Sequence, residues 1–417
     1  MLTSKSSVLA VGAAETNDTA VRLQRQVRWM TYLMFFVFAM TTDAVGVIIP
    51  EVMAQYQLTM FQASAFHYVP MVAIGFAGLL LGRLADKLGR KTLIIIGLSL
   101  YAAACYSFIA GDSAVFFILL MGICGLAIGI FKTAALALIG DISEDSASHT
   151  RTMNKVEGFF ALGAIAGPAL VTLMIAASIH WKQLYLVAGL LCTVLVIMAT
   201  RLPYPPYKAS ITQSTLRQSL GLLKDRYALG FSLAIALYVA CEVAIFVWLP
   251  TLLAGYDGSF GFVAMHAITI FFILRAAGRF LAGIILQRFC WSSVMAVFTL
   301  AIFICFMLSM LGGKEVALWL MPLSGLFMSM IYPTLNSKGI SCFPRQQHGA
   351  VAGLILAFTA LSAALAPALM AIIGDMAANV SVGFYLATAF SALLAAAMIY
   401  NWLAQPAKQK LAQQQTD

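Results

Sequence analysis

Residues 82–91 read GRLADKLGRK, and five of these ten residues are charged in a chain whose charged residues make up only 10% of the total. Apolar runs lie on both sides, MVAIGFAGLLL (71–81) before and TLIIIGLSLYAAAC (92–105) after. Arg83, Lys87, Arg90 and Lys91 enter hydrocarbon only at high cost, so this segment is held in water between two apolar spans. Gly82 and Gly89 allow close backbone approach or an unusual turn. Asp86 can accept bonds from a neighbouring helix end or an arginine.

The rest of the composition agrees with a lipid solvent. Hydrophobic residues are 62% of 417, and a single soluble core stops growing at about 250–300 residues. Apolar stretches of roughly 20 residues recur along the chain, each long enough to cross a bilayer. They lack the alternation of a membrane β-barrel. The net charge of +9 is spread over helix ends rather than one patch, which excludes a nucleic-acid partner. The seven cysteines are scattered, mostly inside apolar runs, with no CxxC or Cys/His spacing for a metal.

The expected fold is an all-α polytopic membrane protein, with twelve transmembrane helices in two six-helix pseudo-repeat bundles. Helices are predicted at about 29–51, 63–84, 92–110, 114–140, 152–178 and 183–201, then 227–254, 262–285, 292–311, 316–340, 349–374 and 381–404. The domains are then a tail (1–28), a first bundle (29–201), a Pro-containing basic linker (202–226), a second bundle (227–404) and a C-terminal tail (405–417). Of the 25 Lys and Arg, the loops on one side hold only Lys182 and Lys314. That asymmetry predicts both termini in the cytoplasm.

The halves repeat one another. Asp43 precedes Pro50 as Glu242 precedes Pro250, Gly82-Arg83 matches Gly278-Arg279, and Pro168 matches Pro367. Parallel six-helix repeats place a substrate site between the halves near mid-membrane. A charged side chain there costs at least ~2.5–3.5 kcal/mol unless it faces a polar cavity or a partner. Asp43, Glu242 and Glu157 are therefore candidates for proton coupling, with a static pair such as Asp43–Lys132 as the structural alternative. Lys132 is either a counter-charge to Asp43 or the attractor of an anionic solute. Arg275 is near enough to the inner surface to snorkel, and could instead be a ligand. Tyr238, Trp248 and Tyr332 could stack on a solute. Asn154 and Asn336 could hydrogen-bond one or pair helices.

GRLADKLGRK resembles the signature loop between the second and third helices of the major facilitator superfamily, at Gly82, Leu84, Asp86, Gly89, Arg90 and Lys91. The resemblance implies an inner gate in which Asp86 meets helix ends or arginines across the halves, with Gly82, Arg83, Gly89, Arg90, Lys91, Gly278 and Arg279 in the same motif and its partial repeat. NKVEGFFALGAIAGPAL (154–170), WLPTLL (248–253) and MIYPTLNS (330–337) resemble the fucose–galactose–glucose:proton symporter branch. That resemblance implies a monomeric sugar–proton symporter with an acid in helix 1, where Asp43 stands. The branch's second acid, in helix 4, is absent, and Lys132 occupies that region.

The expected activity is secondary transport of a small polar solute, a sugar or an organic anion, across the inner membrane by alternating access with proton symport. Proton-coupled efflux of drugs or lipophilic compounds and a non-transporting membrane receptor or scaffold are the alternatives. The chain contains no GxxxxGK[ST] loop and no nucleophile–base pair in water-facing positions. No cofactor, metal or catalytic residue is expected, and the partners are the solute, the proton and the lipid bilayer.

Overall fold

The computed structural model describes residues 24–143, 146–202, 204, 221–344, 347–407 and 410–411; for residues 78–87, 140–141, 146–150 and 283 it describes the backbone. The expected linker 202–226 and the two tails fall largely outside the described residues.

Among the described residues, twelve helices cross the bundle. They are α1 (Gln24–Tyr56), α2 (Met60–Leu88), α3 (Arg90–Ser107), α4 (Ala114–Ile142), α5 (Ser146–Ala176) and α6 (Gln183–Arg201) in the first half. In the second they are α7 (Arg226–Leu253), α8 (Ala267–Arg288), α9 (291–312), α10 (314–341), α11 (His348–Met376) and α12 (Val380–Ala404). Among the described residues, nine helices are long and apolar enough to span a membrane. One of these, Trp291–Ser341, is two spans joined at Gly313, whose φ of 69° turns the chain. The remaining two spans are α2 and α3, flanking the charged segment. Below, the near face is the one on which α1 begins and α12 ends, and the far face is its opposite.

Several helices extend beyond their predicted bounds. The first starts at Gln24 rather than near Trp29, because the basic turn holding Arg25 and Arg28 stays helical outside the apolar span. The second starts at Met60 because Thr59 and Gln62 form a reciprocal capping box. Between α2 and α3, Gly89 adopts φ 82° while a Cβ there would meet nothing. Its role is conformational, not spatial. The ammonium of Lys91 then reaches the C-terminal carbonyls of α6, 2.9 Å from both Thr200 O and Leu202 O. A cation at that end offsets unpaired carbonyls and the helix dipole.

Prolines shape the interface between the halves. Each removes one backbone N–H and so frees the carbonyl four residues earlier. Pro250 frees Phe246 O in α7, and the Cα of Gly46 in α1 packs directly against that oxygen. Pro50 is four residues after Gly46, so the two helices cross at matching points of the repeat. Pro367 frees Ala363 O in α11, and His67 of α2 places Nε2 3.2 Å from it. The His67 ring also lies edge-on to Phe246, at 5.5 Å between centroids.

These contacts close the far side. At its rim, Asp375 at the end of α11 accepts from the backbone N–H groups of Met60 and Phe61, each at 2.8 Å, and so caps α2 of the other half. Such a carboxylate answers two orphan donors and the positive end of the helix dipole. Replacing Asp375 by Asn should weaken the far-side closure by about tenfold in equilibrium, the value of one charge-assisted bond. Spin labels at the exposed Gln62 and Met376 should then show a population at longer distance; an unchanged distribution would remove the latch role.

Candidate functional site

Near mid-depth, α1 unwinds at Asp43 and Ala44. Asp43 N still donates to Ala39 O at 3.0 Å, but the next turn tightens, with Val47 N on Ala44 O at 3.0 Å and Ile48 N stretched to 3.4 Å. Asp43 sits in this break, 7% exposed. Its carboxylate receives one long bond, from Thr42 Oγ1 at 3.3 Å. Among the described residues no basic group lies within ion-pair distance of it. Arg275, Glu242 and Lys132 are the charges whose fields act on it.

The opposite half presents a tight cluster. Arg275 of α8 forms a close ion pair through Nη2 with Glu242 Oε1 of α7. Tyr238 lies one turn before Glu242, and its hydroxyl is 3.1 Å from both Glu242 Oε1 and Met328 O. Met328 precedes a break in α10 at Ser329 and Met330, where Pro333 also withholds its N–H. Tyr238 therefore shares its single hydroxyl proton between Glu242 Oε1 and a carbonyl left open by that break. Tyr332, just beyond it, has its ring 6.4 Å from that of Tyr238.

The two halves are bridged on the near side as well. Arg279 Nη1 of α8 lies 3.6 Å from Glu157 Oε2 of α5, and the Glu157 side chain is 53% exposed. Protein thus covers Glu157 only in part at the near-side boundary between the halves, whereas Ile49 and His67 at the far-side crossing are buried.

Lys132 of α4 has no carboxylate within 4.0 Å among the described residues. Its ammonium rests over the Phe38 ring at 4.8 Å and the Phe35 ring at 6.0 Å, with the fields of Glu157 and Asp43 acting on it. The possible Asp43–Lys132 ion pair is therefore not formed.

Other residues singled out in the sequence are placed as follows. Arg275 does not snorkel; its guanidinium turns inward, because Glu242 offers a charge within reach that the inner surface cannot better. Trp248 is fully buried and donates from Nε1 to Pro367 O at 3.1 Å, a packing position within the second half. Asn154 is exposed and Asn336 half-buried. Gly278 lets α8 approach α10, since a Cβ would run into the Ser329 hydroxyl and lie 2.7 Å from Leu326 O. Arg90 is 9% exposed. The backbone of Gly82, Arg83 and Asp86 continues α2, while their side chains lie outside what is described. Sequence reasoning missed Gly46, His67 and Asp375. The Gly46–Pro50 and Phe246–Pro250 spacings could have indicated the first.

Two six-helix halves, closed at one end around buried charges, define a membrane carrier. The chain belongs to the Major Facilitator Superfamily, whose family model matches residues 31–367. It is a transporter, not an enzyme. It is 25% identical over 392 residues to the L-fucose-proton symporter of Escherichia coli K12, covering 83% of this chain and 86% of the symporter. It is 22% identical to a putative glucose/galactose transporter of Helicobacter pylori J99, covering 82% and 88%. Among solved structures, the nucleoside transporter NupG superposes with TM-score 0.72 at 17% identity, covering 91% of this chain and 99% of NupG. FucP in the outward conformation gives 0.62 at 20% identity, covering 89% and 98%.

Proposed function

We propose that this protein imports a small hydroxylated solute together with a proton, using Asp43 as the proton-binding group. One observation carries the reading. Asp43 sits in a broken helix between the halves, buried, with a single weak hydrogen bond and opposing charges near but not touching. A carboxylate so held can exchange a proton and signal its state to both halves. Glu242, by contrast, is occupied by Arg275 and Tyr238, and Glu157 by Arg279, which suits them to gate and position.

The names of the relatives, a fucose-proton symporter and glucose/galactose transporters, support a sugar-like solute. The near face is cytoplasmic in this reading, in agreement with the Lys and Arg asymmetry, and the membrane is the inner membrane. Residues 29–201 and 227–404 rock as two bodies about the site, joined by 202–226, in a chain that works as a monomer. The 82–91 segment, through Asp86, latches the near side when the far side opens.

The test is purified protein in liposomes containing a pH-sensitive dye, exposed to a panel of neutral sugars and sugar acids. Internal acidification on addition of one solute class is the expected result. Solute flux without proton movement would overturn the coupling, and outward flux of lipophilic compounds alone would overturn import.

A further inference from the structure

The direct pairs in the site leave two groups over. Glu242 is taken by Arg275 and Glu157 by Arg279, which leaves Asp43 and Lys132 without an oppositely charged group in contact among the described residues. They face one another's fields without touching. An ammonium has three donors and no acceptor, and that of Lys132 rests over the Phe38 and Phe35 rings with no carboxylate within 4.0 Å among the described residues.

A second observation comes from the other half. Arg275 Nε is buried without an acceptor, although its Nη2 pairs with Glu242. Guanidinium groups bind carboxylates through two donors at once, so an idle Nε is a vacant arm of that fork. Arg275 shares a small pocket with Phe160 of α5, whose ring lies 5.4 Å from that of Phe38, the ring beneath the Lys132 ammonium.

The charges count to the same end. Among the described residues of the central network there are three acids, Asp43, Glu157 and Glu242, and three bases, Lys132, Arg275 and Arg279. With all six ionised, the empty site is neutral. Protonation of Asp43 leaves it one positive charge in excess, and a singly charged anion restores neutrality.

We propose that the co-transported solute is a hydroxylated monocarboxylate of the sugar-acid class. Its carboxylate lies between Lys132 and Arg275, and its hydroxyls reach Asp43 and Thr42. This rests on the proton-symport reading and deepens it. The loaded carrier is then neutral, and transport of one proton with one monoanion moves no net charge.

The experiment is counterflow in liposomes, which needs no proton gradient, with labelled D-glucuronate and D-glucose as probes. Wild type should exchange glucuronate and not glucose. Lys132→Gln should lower glucuronate exchange by at least about tenfold, the value of one charge-assisted bond, and Lys132→Arg should retain part of it. Glucuronate, and not glucose, should also raise the thermal unfolding temperature of the wild type, a readout independent of how the variants fold. Exchange of glucose at least equal to that of glucuronate would overturn the carboxylate inference and leave the symporter standing. Undiminished glucuronate exchange in Lys132→Gln would remove Lys132 from the site. Exchange of neither probe would overturn this inference, and with a silent acidification panel the symport reading as well.

Discussion

Gly46→Val is expected to reduce transport by about tenfold or more, with the protein still inserted and folded. The far side closes where Gly46 of α1 meets the Phe246 carbonyl of α7. A Cβ at position 46 would fall on that oxygen, 2.8 Å from Phe246 C and 3.2 Å from Val247 Cα. All three atoms are backbone, so no side chain can swing away to relieve the overlap. Overpacking of this kind costs about 1–3 kcal/mol, and every 1.4 kcal/mol is about tenfold in equilibrium. The cost falls on the far-closed state alone, since the helices separate when that side opens. The carrier should therefore accumulate open to the far side. Spin labels at the exposed Gln55 and Ala254, on the far ends of α1 and α7, should move apart. Transport and label distances equal to wild type would dismiss the crossing as a gate. Gly46→Ala should act in the same direction, more weakly.

Asp43→Asn is expected to abolish accumulation driven by a pH gradient while exchange continues. Asparagine keeps the volume and can still accept from Thr42, but binds no proton. A gradient of about one pH unit stores about 1.4 kcal/mol per proton. With the membrane potential clamped at zero, one-to-one symport therefore concentrates the solute about tenfold. The variant should equilibrate its solute at about equal concentrations on both sides. Counterflow should persist, because it needs only a loaded carrier that changes face. Gradient-driven accumulation by the variant would show that the proton binds elsewhere, with Glu157 the next acid to examine.

These variants separate what can be read along the chain from what cannot. Asp43 and Glu242 stood out because a charge in an apolar run has few bland explanations, and their depth follows from helix rise alone. Their partners were not readable. Arg275 could have snorkelled to the near surface or turned inward, and both are open to a long side chain. Tyr238 on the turn before Glu242 followed from helical spacing. Its second neighbour, Met328 O, depends on a break in α10 ninety residues away. His67 is a lone histidine in an apolar run, and nothing in its neighbourhood announces that Ala363 lacks a donor. Asp375 ends one helix and caps another 315 residues distant.

The amino-acid sequence by itself determined the solvent, the twelve crossings, the two-fold repeat and which spans carry charged residues. All of these follow from hydrophobicity, helix rise and the cost of charge in hydrocarbon, which are properties of single segments. Tertiary structure alone decided which charges pair, which carbonyls freed by proline find donors, and which side of the carrier is closed. Those outcomes depend on which helix faces are brought together, and in a bilayer every such face is about equally apolar. Close packing at small residues and a few polar groups selects among them.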